Sequence, residues 1–229
     1  MPHAVEVDAR IRRLRPDFVV AIVRARTIEN GPSDSDSISL LRQAEEAARR
    51  TLSGNEPAGH PHIAAWREAY RAFGVKAQRT PCSAEALLRR VVGGEPIPAI
   101  NRLVDLYNAV SVEFAIPVGG EDLSHIVGPS RLTLATGAEF FDTVRGGEAI
   151  VERPAPGEVI WADDAGVTCR RWNWRQCVRT RLTERSTEAF FVLERLEPFP
   201  LSRLAEAADF LVARLRELCP SAAVESWTS

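Results

Sequence analysis

"NRLVDLYNAVSVEFAIPVGGEDL", residues 101–123, changes its period half-way. Ile100, Leu103, Val104, Tyr107 and Val110 recur at helical spacing, which predicts a helix from Pro98 to about Val112. Asn101, Asp105 and Asn108 fall at i, i+4 and i+7 on its other side. The second half reads as a strand that ends in a Pro-Val-Gly-Gly turn. Consecutive glycines let the backbone approach a ligand closely or take positive φ. A solvated helix face and a plain turn would account for these residues one at a time. Taken together, Asn108, Ser111, Gly119, Gly120 and Asp122 read as the rim of a pocket.

A second stretch supplies the wall of that pocket. "CRRWNWRQC", residues 169–177, packs two tryptophans, three arginines, an asparagine and a glutamine between two cysteines. A core has no use for the arginines, and a solvated face has none for the tryptophans. If "GVTCRRWN" (166–173) is one strand, Arg170 and Trp172 face one way and Arg171 and Asn173 the other. Trp172 and Trp174 then bracket Asn173, with Arg175 beside them. An aromatic wall with amides and carboxylates suits a polar, planar or cationic side chain.

Outward from these stretches, helices and strands follow one another without regular alternation, which predicts an α+β fold with a mixed central sheet and packed helices. A strand is expected over Asp17–Ile28 and helices over residues 39–52, 62–74 and 83–94, the last with Ser83 as its cap. Strands are expected at 130–136, 148–153, 157–163 and 188–196, and a closing helix at 200–220. The organisation reads as an α/β segment over 1–60 packed on the rest, a central domain over 61–197, and a C-terminal helix and tail over 198–229.

The composition excludes several classes. Hydrophobic residues make up 45% and charged residues 26% of 229, an ordinary globular balance. A formal charge of -2 argues against coating nucleic acid by bulk electrostatics. The longest apolar run, Phe18–Val23, is too short to cross a bilayer, and no signal peptide is visible, so the cytoplasm is the expected location. Cys82, Cys169, Cys177 and Cys219 form no C-x-x-C pair, and His60 and His62 have no partner cluster, so neither metal nor other cofactor is expected. No Ser-His-Asp or Cys-His pattern suggests a covalent nucleophile.

"VDLYNAVS", "PVGGED" and "CRRWNWRQ" carry a family resemblance. From about His62 to Leu196 the chain resembles the tRNA-editing (B3/B4) domain of the phenylalanyl-tRNA synthetase beta subunit, and more closely freestanding proteins of that domain family. The resemblance implies an α+β fold with a cavity, and hydrolysis of a wrong aminoacyl ester from mischarged tRNA, acting in trans. It implies neither DNA nor a membrane as partner. It aligns Glu194 with a carboxylate of the synthetase domain. Two places depart from the pattern: Gly119-Gly120 stand where the synthetase has a histidine, and "RRWNWRQ" replaces a turn of small residues. A polar, cationic or non-protein amino acid is therefore expected rather than a phenylalanine-like one. Glu194, Asn173 and Asp122 are the expected catalytic groups: the two carboxylates hold an ammonium or orient water, and Asn173, like Asn108, orients substrate through amide hydrogen bonds. Six arginines between Thr168 and Arg185 face one acid, Glu184, which marks Arg179 and Arg181 as candidates for tRNA phosphates. A non-catalytic module that holds an amino acid or tRNA is the competing reading, and an interaction protein that has lost the site is a third.

Overall fold

The computed structural model describes residues 4–229. In chain order its elements are β1 (Val5–Val7), α1 (Ala9–Leu14), β2 (Val19–Arg26), α2 (Ser35–Leu52), α3 (Pro61–Ala72), α4 (Ser83–Val92) and α5 (Arg102–Phe114). There follow β3 (Val118–Asp122), β4 (Ser130–Leu134), β5 (Phe141–Arg145), β6 (Glu148–Glu152), β7 (Val159–Asp163), β8 (Gly166–Arg170), β9 (Arg175–Gln176), β10 (Glu188–Arg195), α6 (Leu201–Leu218) and β11 (Ala223–Thr228). The α+β reading holds, but the strands divide between two main sheets. One has the order β1-β4-β7-β8-β9, with β1 and β4 parallel and the rest antiparallel. The other is antiparallel, in the order β11-β2-β10-β3. β5 and β6 form a separate hairpin.

β2 and β10 are interior strands, so both their faces are buried. Alternation sends Val20, Ile22 and Phe190 into one core, and Ala21, Val23, Ala25, Phe191 and Leu193 into another. α6 covers the second face with Leu204, Leu211 and Leu215. Each large apolar side chain so buried contributes about 1.5–3 kcal/mol. The segment before residue 61 is part of this architecture: β2 lies between β10 and β11, and β1 lies on the edge of the other sheet.

α5 is central, not amphipathic: ten of its thirteen residues are buried. It starts later than the spacing predicts. Asn101 is the N-cap and accepts from the Val104 N–H at 3.1 Å, which leaves Ile100 outside and 57% exposed. Asp105 accepts from the Ser37 hydroxyl and the Ile100 N–H, so the expected polar face is mostly internal bonding. The helix runs on to Phe114 and stops at Ala115, which takes the left-handed conformation. "SVEF" is thus helix, and Gly119-Gly120 lie inside β3 opposite Val192 and Phe191 rather than in a turn. A Cβ on Gly120 would sit 2.8 Å from the Tyr107 ring, so glycine is there for close packing. Ser83 begins α4 but does not cap it; Cys82 holds the cap position without a side-chain bond.

Candidate functional site

A cavity of about 280 Å³ opens between the two sheets, beside α4 and α5. Gly119 and Glu121 of β3, and Phe190, Val192 and Glu194 of β10, project from one face of the antiparallel sheet into it. Trp161 of β7 and Cys169 of β8 come from the other sheet, and Tyr107 and Asn108 from α5. The turn after β8 supplies Trp172, Asn173 and Trp174.

Glu194 is held by two fixed donors. Trp161 Nε1 donates to Oε1 at 2.9 Å and Asn173 Nδ2 to Oε2 at 2.8 Å. Asn173 is oriented in turn by the Tyr70 hydroxyl, which donates to its Oδ1 at 2.7 Å. The Trp172 N–H also favours the ionised carboxylate, but it falls short of hydrogen-bond geometry and is buried without a partner. Burial outweighs these contacts and pushes the Glu194 carboxyl up to about 8.

Glu121, one residue from the expected Asp122, also faces the cavity. Burial raises its carboxyl to about 7, with the Thr168 and Thr180 hydroxyls and the Arg179 charge pulling the other way and the Asp163 charge adding to the rise. Asp122 points elsewhere: it accepts from the Ser124 N–H and hydroxyl and from the Ser186 hydroxyl. Period 2 within β3 separates the two neighbours. Ser111 is fully buried, donates to the Ile116 carbonyl and does not line the cavity. Asn108 and Gly119 do line it, while Gly120 sits behind them against Tyr107. Among the described residues the Asn108 amide has no hydrogen-bond partner.

The "CRRWNWRQC" segment is a hairpin rather than a continuing strand. β8 ends at Arg170, and Arg171 and Trp172 both take positive φ, 49° and 67°, to reverse the chain into β9. Trp172 and Asn173 therefore both turn inward. Trp172 is fully buried, edge-on to Phe18 and Trp66 at 5.2 and 5.3 Å. Trp174 stays at the rim, where the guanidinium groups of Arg171 and Arg175 each lie 4.4 Å from its ring centre.

The arginine strip is smaller than the count implies. Arg170 pairs with Glu158 and Glu152, and Arg179 makes two bonds to Asp163 at 2.8 and 2.9 Å. Arg179 thus balances a buried carboxylate instead of facing solvent phosphates. Arg175, Arg181 and Arg185 are exposed.

Burial of the other glutamates sets the two cavity carboxylates apart. Glu45, Glu85, Glu121, Glu158 and Glu194 are all buried. Glu45 pairs with Arg42 and Arg49, Glu85 with Arg67 and Arg89, and Glu158 with Arg170. Among the described residues no ion pair reaches Glu121 or Glu194. A buried carboxylate without a counter-charge is costly, and these two open into one cavity.

The B3/4 domain family model matches residues 65–219, more than half of the chain. The chain belongs to the B3/4 domain family. No curated protein matches it. It is similar to a crystal structure of an N-terminal fragment of the phenylalanyl-tRNA synthetase beta subunit from Pyrococcus horikoshii, with a TM-score of 0.49 and 14% identity. That match covers 100% of this chain and 55% of the other, so this chain spans about half of its length.

The matched B3/4 region starts inside α3 and extends through α6, beyond the boundary near residue 197 expected from the sequence. In this B3/4 chain Cys169 is no ready nucleophile: burial pushes its thiol well above the ordinary range. His62 is also committed. One ring nitrogen meets the Ala115 carbonyl and the other accepts from Trp66 Nε1, and burial drives its pKa down to about 3. Among the described residues no three His, Cys, Asp or Glu side chains gather as a metal site, and no helix is long and apolar enough to cross a membrane.

Proposed function

We propose that this B3/4 protein hydrolyses the ester of a mischarged aminoacyl-tRNA in trans, and that the amino acid it removes carries a cationic side chain. The observation that supports this is the pair of buried glutamates without a counter-charge in one aromatic-lined cavity. Their positions lie four residues apart along β10, counted through the Glu121–Phe190 register, or about 13 Å by strand rise. That spacing leaves Glu194 for a charged side-chain end and Glu121 for the ester end of the same ligand. Glu194, 1% exposed, takes the deep cation, while Trp161, Trp172 and Phe190 enclose the stem.

Glu121, 8% exposed and nearer the open side, is placed to act on water. Its pKa near 7 gives a base poised for neutral pH. The water oxygen bonds to the acyl carbon and its proton passes to Glu121. The bond from acyl carbon to ribose oxygen breaks, and that oxygen takes the proton back from Glu121. The Asn108 amide, free of other partners, can donate to the developing oxyanion. An apolar side chain would leave Glu194 without a charge partner, which costs about 1–3 kcal/mol.

The test is ester loss from a panel of tRNAs carrying tyrosine, phenylalanine, alanine, serine, lysine, arginine and arginine analogues. Cationic acyl groups should be lost about 100-fold faster than tyrosine. Fastest loss of tyrosine would return the site to a phenylalanine-like class. Stable complexes without turnover would make the protein a binding module.

A further inference from the structure

A second groove, about 400 Å³, joins the mouth of the cavity. Tyr107, Arg175 and Gln176 line both. Ile100, the exposed Val144 of the β5–β6 hairpin and Arg181 line the groove but not the cavity. Its lining holds two arginines and no carboxylate, whereas the adjoining cavity holds two carboxylates. Among the described residues neither arginine is in an ion pair: Arg175 rests on Trp174, and Arg181 is exposed beside Glu121, to which its backbone bridges. Ile100 and Val144 are 57% and 44% exposed, so the groove offers apolar surface as well as cations.

We infer that this groove holds the single-stranded 3′ end of the RNA whose acyl group enters the cavity. The charge pattern is that of such a ligand read from outside inward: phosphates first, then the cationic aminoacyl head. Phosphates meet Arg175 and Arg181, and sugar and base faces lie on Ile100, Val144 and Tyr107. Gln176 is pinned at the junction, because its Nε2 donates to the Gly120 carbonyl at 2.7 Å. The inference takes the RNA from the proposed function, but its test does not depend on hydrolysis.

The measurement is anisotropy of fluorescein-labelled, uncharged tRNA, either intact or lacking its last four nucleotides. Wild-type protein should bind the intact molecule about tenfold more tightly. Val144→Glu and Arg181→Glu, both at exposed positions, should erase that difference while the thermal melt stays unchanged. Arg181→Ala should lower the log–log salt slope by about 0.7, one single-strand phosphate contact. Equal binding of intact and shortened tRNA by wild type would overturn the inference. So would a tail preference that survives both glutamate variants. Ester loss that persists alongside either result would refute the groove and leave the hydrolase reading standing. A tail preference that depends on the groove, without ester loss, would do the reverse.

Discussion

Glu194→Gln should lower the rate of ester loss from a cationic aminoacyl-tRNA by about 100-fold or more while the protein stays folded. The charge that meets the deep cation is gone, and an unpaired ligand cation in a desolvated site costs several kcal/mol. The fold should tolerate the change. Glutamine still accepts from one of the two donors, Trp161 or Asn173, and a buried carboxylate without a counter-charge is removed. The pH dependence of stability separates this account from a structural role. In the unfolded chain the carboxyl ionises near 4.5, but in the folded protein it keeps its proton up to about 8. The folded state therefore binds the extra proton between these values. Wild-type stability from this group is full below about 4.5 and falls as pH rises, by at most about 1.4 kcal/mol per unit, until about 8. Urea melts across pH 4–9 should show that fall reduced by one proton in the variant. A variant that hydrolyses at the wild-type rate, or one that is unfolded at every pH, would remove Glu194 from the site.

Trp172→Ala should cost about 3–5 kcal/mol of stability, the range for emptying a fully buried large aromatic site. Its ring touches Phe18, just before β2, and Trp66 and Phe73 of α3 and its C-terminal cap. It also sits at positive φ, a conformation that costs a non-glycine residue of the order of 1–3 kcal/mol and is held by that packing. Loss of the ring leaves the strained turn without its anchor and opens one wall of the cavity. Trp172→Phe, which keeps most of the contacts, should recover over half of the loss. A urea midpoint in Trp172→Ala that matches wild type would show that the hairpin is held from elsewhere.

Legibility followed local period. The apolar run Phe18–Val23 and the strand over residues 188–196 were readable because both are long enough to fill two buried faces. The composition of "WNW" marks the segment as a pocket wall, but a strand reading puts Trp172 and Asn173 on opposite faces, whereas the positive-φ turn sends both inward and leaves Trp174 at the rim. β3 was hidden because its two glycines carry no side chain to show period 2, so Asp122 was favoured over Glu121. Arg179 was misread because counting charges along the chain does not reveal Asp163, sixteen residues away and directly beneath it. The strand status of Ala223–Thr228 depends on its pairing with β2, a partner about two hundred residues earlier. The missing counter-charge at Glu121 and Glu194 is a tertiary fact, visible only once the arginine partners of Glu45, Glu85 and Glu158 are in place.

The central claim is that the ligand's own cation supplies the charge that Glu194 lacks. Calorimetric binding of an amide-linked, non-hydrolysable arginyl-adenosine analogue, repeated at pH 6.5 in buffers of different ionisation enthalpy, tests it directly. At that pH the free Glu194 carboxyl, with its pKa near 8, is protonated, and the ligand is fully cationic. Binding should release close to one proton from wild-type protein and markedly less from Glu194→Gln. Proton uptake, or binding with no release from wild type, would contradict the account.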